Sequence, residues 1–167
     1  MNARTELSDL IGYASVETPR RSGPLTTCRV ESLESGVEFT AEWIEAKGLA
    51  PEVYSHVRRQ WQQNTRQQPA GSLPQREFSE NQDRLTRVID LPNGRPIIDT
   101  LFDKRFELKQ VLEVALTLTR CLADWHQSGR VHGRLGADCI YWNSDGEIQL
   151  REVTVFDGQV QQDFLSL

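Results

Sequence analysis

The stretch from Leu112 to Leu150 constrains the fold most, because its hydrophobic period switches from helical to extended within a short span. Leu112, Ala115, Leu116, Leu118, Thr119, Leu122 and Trp125 recur at helical spacing and mark one face. Gly129 follows the polar run His126-Gln127-Ser128 and suits a left-handed helix C-terminus. Val131-His132 then restarts an extended segment. Ile140-Tyr141-Trp142 is a short β-type run, Asn143-Ser144-Asp145-Gly146 is hairpin-turn chemistry, and Glu147 to Leu150 alternates as a strand does. Helix, loop and hairpin in that order predict an α+β fold. The apolar stripe is the longest in the chain, so the helix over 107–125 is expected to be the most buried element, with Leu116 and Leu122 inside.

The preceding half reads as strands around one helix. In the run Gly36 to Trp43, Phe39 and Ala41 point one way and Thr40 and Glu42 the other. Pro51 to Gln63 reads as a helix with Pro in its first turn and a stripe of Val53, Tyr54, Val57 and Trp61. Residues 62–72 are rich in Gln with Pro and Gly, which predicts a flexible connector. Leu73-Pro74 and Arg76-Glu77-Phe78 suggest a strand, Leu85 to Asp90 is an extended run, and Asn93-Gly94 is a turn. Ile97, Ile98 and Leu101 form one side of a short helix.

Composition narrows the function. The 167 residues suit one domain, and the net charge of −5 with no basic, aromatic-interleaved stripe argues against nucleic acid. No apolar run approaches the roughly 20 residues that cross a bilayer. Cys28, Cys121 and Cys139 are scattered and odd in number, which suggests reduced thiols in a cytoplasmic protein and neither a disulfide frame nor a zinc site. The three His residues show no metal spacing. No metal and no cofactor are expected.

Aligned without gaps, VHGRLGADCIYW resembles the bacterial protein-kinase catalytic loop V-H-G-D-L-K-P-x-N-I-L, with His132, Gly133, Leu135 and Ile140 retained. Arg134 stands where the catalytic-base Asp belongs, and Cys139 where the magnesium-binding Asn belongs. NSDGEIQLREVT continues as x-x-D-G-x-V-K-L-x-D-F-G: Asp145-Gly146 make the turn, and the D-F-G triplet falls on Glu152, Val153 and Thr154. Residues 36–43 resemble the strand G-x-x-V-A-I-K-V, with Glu42 in place of the phosphate-holding Lys. Residues 51–63 lie where the regulatory helix of a kinase lies and offer Arg58 and Arg59 in place of its Glu. LPNGRPIIDTLF resembles the hinge and the helix after it, with Asp90, Leu91 and Gly94 as hinge residues. The glycine-rich phosphate loop is missing: Glu17 to Pro24 holds one Gly and two Pro, and Pro removes N–H donors.

The resemblance implies a protein-kinase-like fold over residues 1–167, with 13–90 as an N-lobe-like part and 91–167 as a hinge and truncated C-lobe-like part. A kinase magnesium site uses two ionised carboxylates and an amide. Arg134, Cys139 and Glu152 would supply one cation, one thiol and one carboxylate, so the net negative charge vanishes. An Arg cannot act as a base. The chain is therefore expected to be a pseudokinase with no catalytic residues, acting as a protein-interaction or regulatory module in signalling. His132 is expected to orient its loop through backbone hydrogen bonds. The exchanged charges predict ion pairs of Glu42 with Arg58 or Arg59, and of Arg134 with Glu152. The early stop suggests a fragment or a minimal domain. It also predicts that the apolar stripe of residues 112–125 and the tail Val153, Val155, Phe156, Phe164, Leu165 and Leu167 meet a protein partner, the rest of a longer chain, or a second copy. Phe156-Asp157-Gly158 mimics a scrambled D-F-G but is out of register. Two alternatives remain at this point: a divergent kinase or nucleotidyl-transferring enzyme using Glu42, Glu152 or Asp157, and an unrelated small α+β adaptor.

Overall fold

A computed structural model of the protein describes residues 10–81, 83–103, 106–130, 132–143 and 145–152. Val153, Thr154, Phe156-Asp157-Gly158 and the rest of the apolar tail lie outside the described residues. The fold is α+β and divides into two compact units.

The first unit comprises residues 1–68 and 74–91. Its described strands are β1 (Tyr13–Ser15), β2 (Arg20–Ser22), β3 (Leu25–Ser32), β4 (Glu38–Glu45), β5 (Gln75–Asn81) and β6 (Arg84–Asp90), with helix α1 (Pro51–Arg66) between β4 and β5. They form an antiparallel six-stranded sheet in the order β1-β3-β4-β6-β5, with β2 also on the edge of β3. Between β1 and β2, Pro19 offers no N–H, and Glu17 takes over part of the pairing. Its carboxylate accepts the Arg29 N–H at 3.3 Å, and its carbonyl accepts the Cys28 thiol at 3.2 Å.

Period-2 alternation sorts the sheet into two faces. Cys28, Val30, Ala41 and Val88 cluster with Leu10 on one face, joined by Tyr13, Phe39 and Trp43. Glu42, Ile44, Leu85 and Arg87 belong to the other face, the one that meets α1. That helix begins at Pro51 and buries Val57, Trp61 and Asn64, one turn apart. Gln75, at the start of β5, donates to the Trp61 carbonyl at 2.8 Å and the Thr65 hydroxyl at 2.9 Å, tying helix to strand. The central strand β6 is buried at five consecutive residues.

The second unit comprises residues 69–73 and 92–167. Its described elements are β7 (Arg95–Pro96), α2 (Ile97–Asp103), α3 (Leu108–Gln127), β8 (Ile140–Trp142) and β9 (Ile148–Leu150), with the strands ordered β7-β8-β9. Ile97, Cys121, Trp125, Ile140, Ile148 and Leu150 form its core. The end of α3 follows the sequence: Gly129 adopts a φ of 73°, and the Arg130 N–H reaches back to the Trp125 carbonyl at 2.9 Å.

Two expectations are corrected. Residues 62–72 are not a loose connector. Helix α1 continues to Arg66, and Gln68 donates to the Gln75 carbonyl at 3.0 Å. Within the second unit, Ala70 accepts the Trp125 indole N–H at 2.9 Å, the Gly71 carbonyl accepts the Leu150 N–H at 2.7 Å, and the Leu73 N–H donates to the Leu150 carbonyl at 3.1 Å. Nor is α3 the most buried element: only Cys121 and Trp125 are buried along it, and Leu116 is exposed. The small β8–β9 hairpin covers one side of a helix whose apolar surface extends well past that side.

Candidate functional site

In the first unit, chemistry gathers around Glu42. Beta-pairing sets Glu42 directly opposite Arg87, on the α1 face of the sheet. Two hydrogen bonds join them, from Arg87 Nε and Nη2 to Glu42 Oε2, at 2.9 and 2.7 Å. Both residues are about as dry as a side chain can be, each 1% exposed. The Arg87 guanidinium also lies 4.6 Å from the Trp61 ring centroid, a cation–π contact from α1. The expected partners of Glu42 are thus corrected. Arg58 pairs at the surface with Glu80 at 2.8 Å, and Arg59 is exposed. A cross-strand neighbour is closer than any side chain on the outer face of the helix, so Arg87 takes the carboxylate. Sequence reading missed Arg87, although one basic residue inside the otherwise uncharged run Leu85 to Ile89 was the available signal.

At the end of β6, Asp90 accepts a bidentate pair of bonds from Arg76, at 2.6 and 2.5 Å. That bonding raises the pKa of Arg76 further above its ordinary value. The Asp90 N–H is held by the Pro74 carbonyl at 2.8 Å. Tyr13 has its phenol pKa raised, chiefly by burial and then by the neighbouring Glu77 carboxylate.

In the second unit, the loop after α3 is built from backbone contacts. His132 is buried against Trp125, ring centroids 5.2 Å apart, and its Nε2 lies 3.1 Å from the Arg151 carbonyl. A carbonyl only accepts, so Nε2 carries the proton and donates. His132 therefore ties the loop to the residue before Glu152. Gly133 is buried at a φ of 85°, a conformation that favours glycine. Cys139 is buried, and its thiol donates to the Gly136 carbonyl at 2.9 Å and accepts the Gly136 N–H at 3.1 Å. Burial pushes this thiol's pKa up, opposed in part by its bond to Gly136. It is a protonated, inert thiol and a poor metal ligand.

Arg134 turns away from the interior. Its guanidinium lies 3.9 Å from Asp138 of the same loop, both side chains exposed, whereas Glu152 is buried. The expected Arg134–Glu152 pair is thereby replaced, because a guanidinium left in water keeps its hydration and meets a carboxylate four residues on. Leu135 is exposed and stands outside the core cluster, whereas Ile140 belongs to it.

The turn at Asp145-Gly146 is stapled by Asn143. Its Oδ1 accepts the N–H groups of Asp145 and Glu147 at 3.0 and 2.9 Å, and its amide donates to the Glu147 carboxylate at 3.0 Å. Gly94 has a φ of 118°, and a Cβ there would stand 2.5 Å from the Trp142 carbonyl oxygen, so only glycine fits. Leu91 is the last residue of the first unit.

Glu42 belongs to the first unit and Arg134, Cys139 and Glu152 to the second. Among the described residues no group of three or more His, Cys, Asp or Glu is arranged to hold a metal, and no helix is long and apolar enough to cross a membrane. No protein-family model matches the chain, and no curated protein sequence matches it.

Proposed function

We propose that the chain is a protein-kinase-like domain without phosphoryl transfer, acting through protein contacts as a regulatory module in the cytoplasm. The observation that carries this reading is the state of Glu42. The position resembling the phosphate-holding Lys is an acid, and its charge is consumed internally by Arg87 beneath Trp61. A carboxylate neutralised there supplies no cation for a phosphate and has no free valence for a ligand.

Further support comes from the order of elements. One helix interrupts an antiparallel sheet, and Asp90 ends it. A short helix, a long helix, the His132 loop and a two-stranded hairpin then follow in the sequence a kinase-like domain would use. His132 bonds to backbone, as expected of a structural loop residue. The loop itself offers neither a base at Arg134 nor a metal ligand at Cys139.

The test is a transfer assay. The chain is incubated with γ- or α-labelled ATP, magnesium or manganese, and generic protein acceptors. The proposal expects no label on any acceptor or on the chain itself. Stoichiometric, metal-dependent labelling from the γ position would overturn it in favour of a divergent kinase. Labelling from the α position would overturn it in favour of nucleotidyl transfer.

A further inference from the structure

We infer that Asn93-Gly94 is a site of spontaneous covalent modification, at which the chain deamidates itself through a cyclic imide and loosens β7 from β8. The chemistry needs no partner and is independent of any kinase-like role. Of the five Asn residues in the chain, only Asn93 precedes a Gly. A side chain on the following residue hinders the approach of its nitrogen, and glycine has none. The fold leaves both reacting groups accessible. Asn93, Gly94 and Arg95 are exposed in a row. The Asn93 N–H donates to Gln149 Oε1 at 2.7 Å, which holds the main chain and leaves the side chain out of the bond. Among the described residues no hydrogen bond engages the Asn93 side-chain amide or the Gly94 N–H. Comparable positions are closed. Asn64 and Asn143 are buried, and the Asn143 carboxamide is engaged by Asp145 and Glu147. Asn81 lies in β5, with its Oδ1 accepting the Asp83 N–H at 3.4 Å. At Asp145-Gly146, where an acid could follow the same route, the Gly146 N–H donates to the Asn143 carbonyl at 3.2 Å.

The step balances with water as the only co-reactant. The Gly94 nitrogen gives its proton to solvent base and bonds to the side-chain carbonyl carbon of Asn93, closing a five-membered imide. The bond from that carbon to the amide nitrogen breaks, and ammonia leaves with a proton from water. Water then opens the ring at one of its two carbonyls. Opening at the side-chain carbonyl restores the original peptide link and leaves an aspartate at 93. Opening at the main-chain carbonyl leaves an iso-aspartate, with the chain rerouted through Cβ and one carbon longer. Both products carry a new negative charge, and only the second meets an obstacle. A Cβ on Gly94 would stand 2.5 Å from the Trp142 carbonyl oxygen and 2.9 Å from the Asn143 nitrogen, so the main chain is already pressed against β8. An extra carbon immediately before Gly94 has to be absorbed at this contact. It shifts Gly94, disturbs the Asn93 bond to Gln149, and weakens the pairing of Arg95 with Trp142, the first rung of β7 on β8.

Mass spectrometry of the folded full chain, held for days at mildly alkaline pH, tests the site. Cleavage after Arg87 and after residue 104 releases a fragment whose only amide side chain is Asn93, with the other Asn residues in separate fragments. That fragment should gain about one dalton ahead of every other Asn-bearing fragment, as an amide becomes an acid. It should also accept labelled methyl groups from isoaspartyl methyltransferase. N93Q, whose imide would need a slower six-membered closure, should lose both signals. The aged form, separated on an anion exchanger by its added charge, should show a lower thermal midpoint than the fresh chain. N93D carries that charge on an unaltered main chain and should keep the fresh midpoint. Three results would overturn the proposal. Conversion at 93 that proceeds in urea and stops in the folded chain would mean that the fold locks this turn. Conversion led by another Asn fragment would mean that accessibility at 93 does not govern the chemistry. An aged form as stable as the fresh chain, or an N93D as unstable as the aged form, would show that the longer main chain does not loosen β7.

Discussion

Removing one member of the Glu42–Arg87 pair should be among the most damaging substitutions in the chain. Both groups are fully buried, two charge-assisted hydrogen bonds of 2.7 and 2.9 Å join them, and the guanidinium rests on Trp61. E42Q keeps an acceptor but leaves a buried cation uncompensated, and R87M leaves a buried anion. Each should cost about 3–5 kcal/mol, of which the contact with Trp61 accounts for roughly 1 in the Arg87 variant. A domain of this size has only about 5–15 kcal/mol to lose, so either variant stands near the edge of unfolding. Replacing both together tells a different story. E42L/R87M removes both desolvation costs and fills the volume with apolar atoms, so it should be within about 1–2 kcal/mol of wild type or more stable. Equilibrium urea unfolding, followed by far-ultraviolet circular dichroism and tryptophan fluorescence, gives the three differences at unchanged m-value. The reasoning is refuted if single variants cost under about 1 kcal/mol, which would mean solvated charges. It is equally refuted if the double variant costs the sum of the singles.

Three further outcomes are expected. G94A should lose roughly 1–3 kcal/mol in the same urea assay, because the residue sits at a φ of 118° with a carbonyl where the methyl must go; a neutral G94A would contradict the turn geometry. Cys28, Cys121 and Cys139 all have thiol pKa values raised, chiefly by burial. The unfolded chain therefore loses these protons first: their stabilisation is complete below the ordinary thiol value of 9.0 and fades as pH rises past it. Stability measured in urea should fall from about pH 9 upward, and a thiol reagent at neutral pH should modify the folded chain far more slowly than the urea-unfolded one. N143A should free the hairpin turn at Asp145-Gly146 and cost about 1–3 kcal/mol, since it strips the three hydrogen bonds that the buried Asn143 side chain makes to an exposed turn.

Much of this was legible where a local rule governs. Pro51 marks the start of α1, Gly129 the end of α3, and Asn143 to Gly146 the hairpin, each through short-range backbone chemistry. The alternation in β4 placed Glu42 and Ala41 on opposite faces. What was not legible depends on partners distant in sequence. Glu42 and Arg87 are opposed only because β4 and β6 are neighbours in that register, and no spacing within either segment states it. The Gln-rich connector looked loose because its bonds go to Trp125, Leu150 and Asp124, all far along the chain. The apolar stripe of α3 was read correctly as a stripe. Its burial was not, because composition shows that a surface is apolar and says nothing about how much covering surface the unit supplies.

Titration of the chain with ATP and magnesium, read by calorimetry and by the shift in thermal midpoint, tests the central reading most directly. With Glu42 sealed against Arg87 and no glycine-rich loop, no saturable heat and no stabilisation should be seen up to about millimolar nucleotide. Binding that favours the folded state would otherwise raise stability by RT ln(1 + [L]/Kd). Micromolar, magnesium-dependent binding with a matching rise in the midpoint would contradict the account.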